Sequence, residues 1–123
     1  MGTVLVADDD PDVRQLVAFK LRQAGHEVID VGDGPSAIAA AGDHPLDLAV
    51  LDVTMPGLSG LEVCAALRSD ARTAAVPVIL LSARAHEGDA QRGLQAGAVA
   101  YVTKPFSPRE LVDRVESLLN GTR

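Results

Sequence analysis

A chain of 123 residues, 47% hydrophobic and 23% charged, has the size and balance of one globular domain and excludes a disordered or low-complexity protein. A formal net charge of −6 excludes a phosphate-backbone binder, which needs a basic face, so no direct nucleic-acid contact is expected. One cysteine, Cys64, excludes an internal disulfide or a cysteine metal cluster; with no apolar run long enough for a signal peptide or membrane span, the expectation is a cytoplasmic protein that does not engage the membrane.

Thr3 to Ala7 reads as a short buried strand that runs into Asp8-Asp9-Asp10-Pro11. Asp10 as cap and Pro11 at the first helical position start a helix whose apolar stripe is Val13, Leu16, Val17 and Leu21, closed by Gly25. Glu27 to Val31 is a second, more polar strand, suited to a sheet edge. Gly34-Pro35-Ser36 opens an Ala-rich helix, and His44-Pro45 ends the connection before the apolar run of residues 46–51. That run reads as a strand buried on both faces, with Asp52 at its carboxyl end and Met55-Pro56-Gly57 forcing a loop. A third helix from Gly60 to about Ser69 offers Leu61, Cys64, Ala65 and Leu67 for burial. Val78 to Leu81 is a wholly apolar strand ending at Ser82, and residues 87–96 form a helix held mainly by Ala90 and Leu94, closed by Gly97. Residues 99–102 make a last strand before Thr103-Lys104-Pro105-Phe106. The final helix spans 107–119, with Ser107 as cap, Glu110 three residues later, and Leu111, Val115 and Leu118 facing inward.

Five strands alternating with five helices over short connections imply a doubly wound α/β fold with a parallel sheet. The first, third and fourth strands are the most apolar and take the middle, which gives the order 2-1-3-4-5, a flavodoxin-like topology. That order sets the ends of strands one and three side by side and brings Asp8 and Asp9 towards Asp52, in the crevice where such sheets bind ligands.

Three converging carboxylates repel one another unless a hard cation joins them. Mg²⁺ suits them, taking a few oxygens at about 2.0 to 2.1 Å and keeping several waters. Asp9 and Asp52 are expected as direct ligands, Asp8 as the acid that holds one of the ion's waters, and the backbone carbonyl of Thr54 as a third protein ligand. Strand four brings the Ser82 hydroxyl and strand five the Lys104 amine to the same edge. A metal, a lysine and a hydroxyl are what phosphoryl transfer to an oxygen nucleophile requires, since that chemistry needs alignment and charge neutralisation more than covalent help. Asp52 would be the nucleophile, and its product an acyl phosphate.

With Asp8-Asp9, LDVTMPGLSG, LLSARA and YVTKPF in order at the ends of four strands, the chain resembles the receiver domain of two-component response regulators over essentially its whole length, residues 1–123. The resemblance implies that Asp52 accepts a phosphoryl group from the phosphohistidine of a sensor histidine kinase or a histidine phosphotransfer protein. It implies that Asp8 and Asp9 organise Mg²⁺, that Ser82 is the switch hydroxyl, Lys104 the phosphate-binding lysine and Tyr101 the rotating aromatic, and that Lys104-Pro105 is cis. Helix four, strand five and helix five would form the face that shifts towards an unspecified downstream target, and the domain would assist its own phosphorylation and dephosphorylation rather than act as an enzyme. Thr54 and Arg84 fall where the family tunes acyl-phosphate hydrolysis. Val99 and Ala100 stand where many dimerising DNA-binding members carry acids, while Arg109 and Arg114 remain on the last helix.

Each residue alone has a plainer reading: the acid run as a helix cap, Lys104-Pro105 as a solvated turn, Ser82 as a strand-end hydroxyl, Tyr101 as a half-buried strand aromatic. Their joint placement at one rim favours a working site. His26, His44 and His86 lack ligand spacing and read as surface residues, Cys64 as a packing residue and Met55 as loop lining. A phosphatase of the haloacid dehalogenase type would place its nucleophile after the first strand with a second acid two residues on, where this chain has Thr54 after Asp52. A receiver-like module that no longer takes phosphate is opposed by the complete acid, hydroxyl and lysine set, and a flavin carrier by the scarcity of aromatic residues.

Overall fold

The computed structural model describes residues 2–83 and 87–120, and within these the side chains of residues 87–90 are excepted. Arg84, His86, the side chain of Ala90 and the end Gly121-Thr122-Arg123 therefore lie outside the described residues. Strands β1 (Thr3–Ala7), β2 (Glu27–Val31), β3 (Leu48–Asp52), β4 (Val78–Ser82) and β5 (Ala100–Thr103) alternate with helices α1 (Pro11–Gln23), α2 (Gly34–Asp43), α3 (Gly60–Ser69), α4 (Glu87–Gln95) and α5 (Pro108–Leu119). The sheet is parallel throughout, in the order β2-β1-β3-β4-β5, the flavodoxin-like arrangement expected.

The order follows from burial. Every residue of β3 and β4 is buried and β1 is buried from Val4 onward, whereas β2 alternates between exposed and half-buried positions at its edge. Successive residues of a strand face opposite sides, so the sheet carries two cores. Leu5, Leu51 and Leu80 pack with Val63, Cys64 and Leu67 of α3 and the alanines of α2. Val4, Val6, Val50, Ile79 and Leu81 pack with Val17 and Leu21 of α1 and Leu111 and Val115 of α5. Each fully buried Val, Leu or Ile contributes about 1.5–3 kcal/mol relative to exposure, so these two layers hold the sheet.

Helix caps follow the sequence closely. The Asp10 side chain accepts from the backbone N–H groups of Asp12 and Val13, Ser107 Oγ accepts from Glu110 N, and Gly25 and Gly97 at positive φ close α1 and α4. At α3, Ser59 and Glu62 form a reciprocal capping box, a signal present in the sequence and not read there.

Several expectations are corrected. Strand β3 spans Leu48–Asp52 rather than residues 46–51, with Asp52 at its carboxyl end as expected, and Val53 N just beyond donates to Leu81 O at 2.8 Å. On α1, Leu16 is exposed and Ala18 takes the buried place, since the helix presents Val17, Ala18 and Leu21 to the sheet. On α3, Ala65 is exposed and Val63 is buried in its stead. Leu94 does not hold α4, being 53% exposed. His26 is not a surface residue: it is buried, its Nδ1 accepting from Gly2 N at 3.2 Å and its Nε2 lying 3.3 Å from Glu116 Oε1. Met55 does more than line its loop, because it is buried against the α2–α3 core. No helix among the described residues is long and apolar enough to cross a membrane.

Two features brace the loops at the two ends of α3, the first at the functional edge and the second at the opposite edge of the sheet. Gly60 N donates to Val53 O at 2.9 Å, folding the β3–α3 loop back on the strand end, and a Cβ at Gly60 would run into the Asp52 carbonyl. On the other side of α3, the Arg68 guanidinium donates to the carbonyls of Gly97, Thr73, Ala74 and Val76 and so ties the α3–β4 and α4–β5 connections together.

Substituting Gly60→Ala is expected to cost about 2 kcal/mol or more in urea unfolding, since the methyl meets rigid backbone. Gly42→Ala is the control: exposed in α2 with only Arg72 Nη2 near its Cβ, it should be neutral or stabilising by about 0.5 kcal/mol.

Candidate functional site

Asp8 follows directly on β1 and Asp52 ends β3, and because these strands are neighbours the two acids meet at one rim. Carboxylate oxygens of Asp8, Asp9 and Asp52 all lie within 4.8 Å of one another, with Asp8 and Asp52 buried and Asp9 exposed. At that separation in an effective dielectric near 20, two like unit charges repel by about 3 kcal/mol. Lys104, which follows β5, reaches across the rim to offset part of this repulsion: its Nζ lies 2.9 Å from Asp8 Oδ2 and 3.5 Å from Asp52 Oδ1.

Asp8 is fixed on three sides. Its Oδ1 accepts from Asp10 N at 2.9 Å, its backbone N donates to Val31 O at 3.1 Å, and its backbone carbonyl accepts from Arg14 Nη1 at 3.0 Å. Its buried Oδ2 has no hydrogen bond of good angle, and Lys104 is its neighbour as an ion-pair partner. The same arginine pairs with Asp30 of β2 at 3.5 Å, so α1, β1 and β2 are joined immediately behind the acid. Sequence reading missed Arg14; the available signal was an arginine one turn into a helix on the flank of Val17 and Ala18.

The electrostatics of Asp52 follow from this crowding. Burial, above all, and then the Asp8 charge push its carboxyl up from 3.8 to about 7, against the opposing pull of Lys104. A hydrogen bond with the Asp9 carboxyl adds to the rise, while the long 3.4 Å bond from Thr54 N to Asp52 Oδ1 opposes it weakly. For Lys104, burial works against the ammonium, and the close contact with Asp8 together with the charges of Asp52 and Asp8 outweighs it, so the amine is held above its ordinary value. A buried oxygen of Asp8 short of donors, an exposed Asp9 open to water and a clustered acid set with raised Asp52 are what a hard divalent cation with retained waters fits.

The remaining expected residues lie on the same edge. Asp52 pairs with Leu81 across β3 and β4, which puts Ser82 one residue beyond it on the neighbouring strand, 2% exposed. Ser82 O accepts from Lys104 N at 2.7 Å, joining the ends of β4 and β5. Tyr101 sits deeper, opposite Leu80, half-buried against the α2–α3 core. The Lys104-Pro105 bond is cis. Thr54 is exposed beside Asp52. Cys64 is fully buried, as expected of a packing residue, and its Sγ donates to Ala96 O. His44 is exposed, as expected.

Residues 4–116 match the family described as the response regulator receiver domain. Among curated proteins, the chain is 40% identical over 120 residues to the phosphate regulon transcriptional regulatory protein PhoB of Pseudomonas aeruginosa, covering 98% of this chain and 52% of that protein. It is 44% identical over 119 residues to the sensory transduction protein RegX3 of Mycolicibacterium smegmatis, covering 97% and 51%. The chain thus spans about half the length of the curated relatives it matches. The solved receiver domain of Francisella response regulator 1452 superposes with a TM-score of 0.92 at 35% identity, over 100% of both chains. Asp52 ends the third strand, not the first, which leaves no place for the haloacid dehalogenase reading. By fold and by these matches the chain belongs to the response regulator receiver domain family, signalling domains whose general function is to take a phosphoryl group from a kinase onto an aspartate.

Proposed function

We propose that Asp52 is the phosphoacceptor of this chain, that residues 1–123 act as one phosphoacceptor domain in the cytoplasm, and that the donor is the phosphohistidine of a sensor histidine kinase or a histidine phosphotransfer protein. The observation that carries this reading is the placement of the buried Asp52 carboxyl within 3.5 Å of Lys104 Nζ and beside the Asp8 and Asp9 carboxylates.

A carboxylate oxygen of Asp52 attacks phosphorus in line with the leaving imidazole; the O–P bond forms as the N–P bond breaks, and its electron pair returns to the imidazole nitrogen. Lys104 and Ser82 then serve the phosphoryl oxygens, the ammonium by charge and the hydroxyl by donation. Asp9, Asp52 and the Thr54 carbonyl would hold Mg²⁺ with Asp8 behind them, and the bound ion supplies the charge neutralisation that lets phosphoryl oxygens approach three acids. The domain assists its own phosphorylation and dephosphorylation because these groups line the acceptor in either direction.

Ser82, drawn to the phosphoryl oxygens, vacates space that Tyr101 enters, and the α4–β5–α5 face shifts between two pre-existing arrangements. A preference of about 3 kcal/mol would change their ratio more than a hundredfold. PhoB is named a transcriptional regulatory protein and MtrA a DNA-binding response regulator, each about twice as long as this chain. Residues 1–123, with a net charge of −6, would signal to such an effector without touching nucleic acid themselves.

Intact mass with acetyl phosphate and Mg²⁺ tests the assignment: wild type should gain one phosphate, Asp52→Asn none, and Lys104→Ala should gain it about a hundredfold more slowly. Uptake by Asp52→Asn equal to wild type would overturn it. Because metal ligands must be deprotonated and Asp52 sits at about 7, Mg²⁺ affinity measured by calorimetry should fall about tenfold per pH unit below 7.

Without metal the same shift makes the acid a liability. A carboxyl raised from 3.8 to about 7 holds its proton in the folded chain but not in the unfolded one, so its contribution to stability declines as pH rises through that window. In EDTA, Asp52→Asn should therefore exceed wild type by about 1–3 kcal/mol in urea unfolding at pH 8, with the margin closing towards pH 4.

A further inference from the structure

Among the described side chains of α4, residues 91–95, only Gly93 is buried; its neighbours Gln91, Arg92, Leu94 and Gln95 are exposed. Here the helix meets the sheet through backbone. A Cβ built on Gly93 would lie 2.9 Å from Leu80 Cδ1 and 3.0 Å from Tyr101 Cδ2, closer than carbon atoms settle without displacement. Leu80 and Tyr101 are partners across β4 and β5, so their side chains form one platform beneath the helix. A glycine inside a helix weakens it relative to alanine, and this one coincides with the point where the helix rests on the tyrosine ring.

We propose that Gly93 is the positioning residue that couples Tyr101 to α4: without a side chain at 93 the helix rests directly on the ring, so neither moves without the other. The proposal rests on the reading that Tyr101 responds to phosphorylation of Asp52, and adds the contact by which that response reaches α4. A methyl at 93 meets Leu80 Cδ1 and the ring at once: the leucine end must shift, and the ring must give by a few tenths of an ångström or the helix lift, which changes the exposure of Tyr101.

The composition supplies its own reporter. Tyr101 is the one tyrosine in a chain without tryptophan, so tyrosine emission comes from this site alone. Acrylamide quenching is measured on wild type and Gly93→Ala, each with and without acetyl phosphate and Mg²⁺, with intact mass on the same samples. Gly93→Ala without donor should change the quenching constant about twofold, and the further change on phosphorylation should fall below about half of that in wild type. Phosphate uptake should stay within about twofold, because Gly93 touches none of the reacting groups. A folded Gly93→Ala whose quenching matches wild type in both conditions overturns the coupling.

Thermal unfolding provides the second reading. The loss in Tm caused by Gly93→Ala should be at least halved in a Tyr101→Ala background, and if the single variant fails to fold, the double variant should fold. An equal loss in both backgrounds, or failure in both, overturns the proposal. If wild type takes up no phosphate, the phosphoacceptor reading fails, and the donor-free comparison and the Tm cycle still decide the coupling by the same outcomes.

Discussion

Like charges brought together under partial burial govern this molecule. Three carboxylates share one rim and outnumber the ammonium of Lys104, the cation in contact with them among the described residues. Left in water, each acid would ionise without cost; at the end of a fully buried strand, Asp52 is held near the midpoint of its titration at neutral pH. The surrounding structure exists to keep that unfavourable arrangement from relaxing: Arg14 holds the carbonyl of Asp8, the β3–α3 loop is folded against the end of β3 through Gly60, and the cores on both sides of the sheet fix the strand ends. Stability is spent where charge is concentrated, and a cation or a phosphoryl group has something to relieve.

The sheet makes this possible by dividing labour between the strand interiors and their ends. Residues inside β1, β3 and β4 are apolar and buried on both faces, while the polar groups follow where the ladder stops: Asp8 just beyond β1, Asp52 and Ser82 at the last positions of β3 and β4, and Lys104 just beyond β5. Pairing register carries the accuracy. Leu51 opposite Ala7 and Leu81 opposite Asp52 set the acids of two strands and the hydroxyl of a third at nearly one level. A slip of one residue would turn every side chain of a strand to the opposite face, so the same apolar packing that stabilises the fold also sets the distances within the site.

Most of this was legible in the sequence, for a physical reason. Buried parallel strands are continuous apolar runs, and acids, a serine and a lysine ending such runs mark their carboxyl ends, so fold, order and site could be read together. Helix faces were less legible. Leu16 and Leu94 have the spacing of buried residues but lie where the helix turns outwards, and Ala65 gave way to Val63 because a few apolar residues on a short helix allow more than one stripe. His26 looked like a surface residue since its burial depends on Gly2 and Glu116, the latter ninety positions away. Arg68, and Arg14 in its bond to Asp8, were missed because these partners are backbone carbonyls, which leave no mark on composition or spacing.

Contacts made to backbone carbonyls affect how this fold tolerates change. The segment Asp70 to Pro77 and the turn at Gly97 present carbonyl oxygens, not side chains, to the guanidinium of Arg68, so the identities of the exposed alanines there matter little to the clamp, while Thr73 is buried with its Oγ1 donating to Leu67 O at 2.7 Å. The exposed positions Ala71, Arg72, Ala74 and Ala75 can therefore drift while one cation on α3 survives, whereas Thr73 and Val76 are buried and Gly97, at positive φ, has no room for a Cβ beside Arg68.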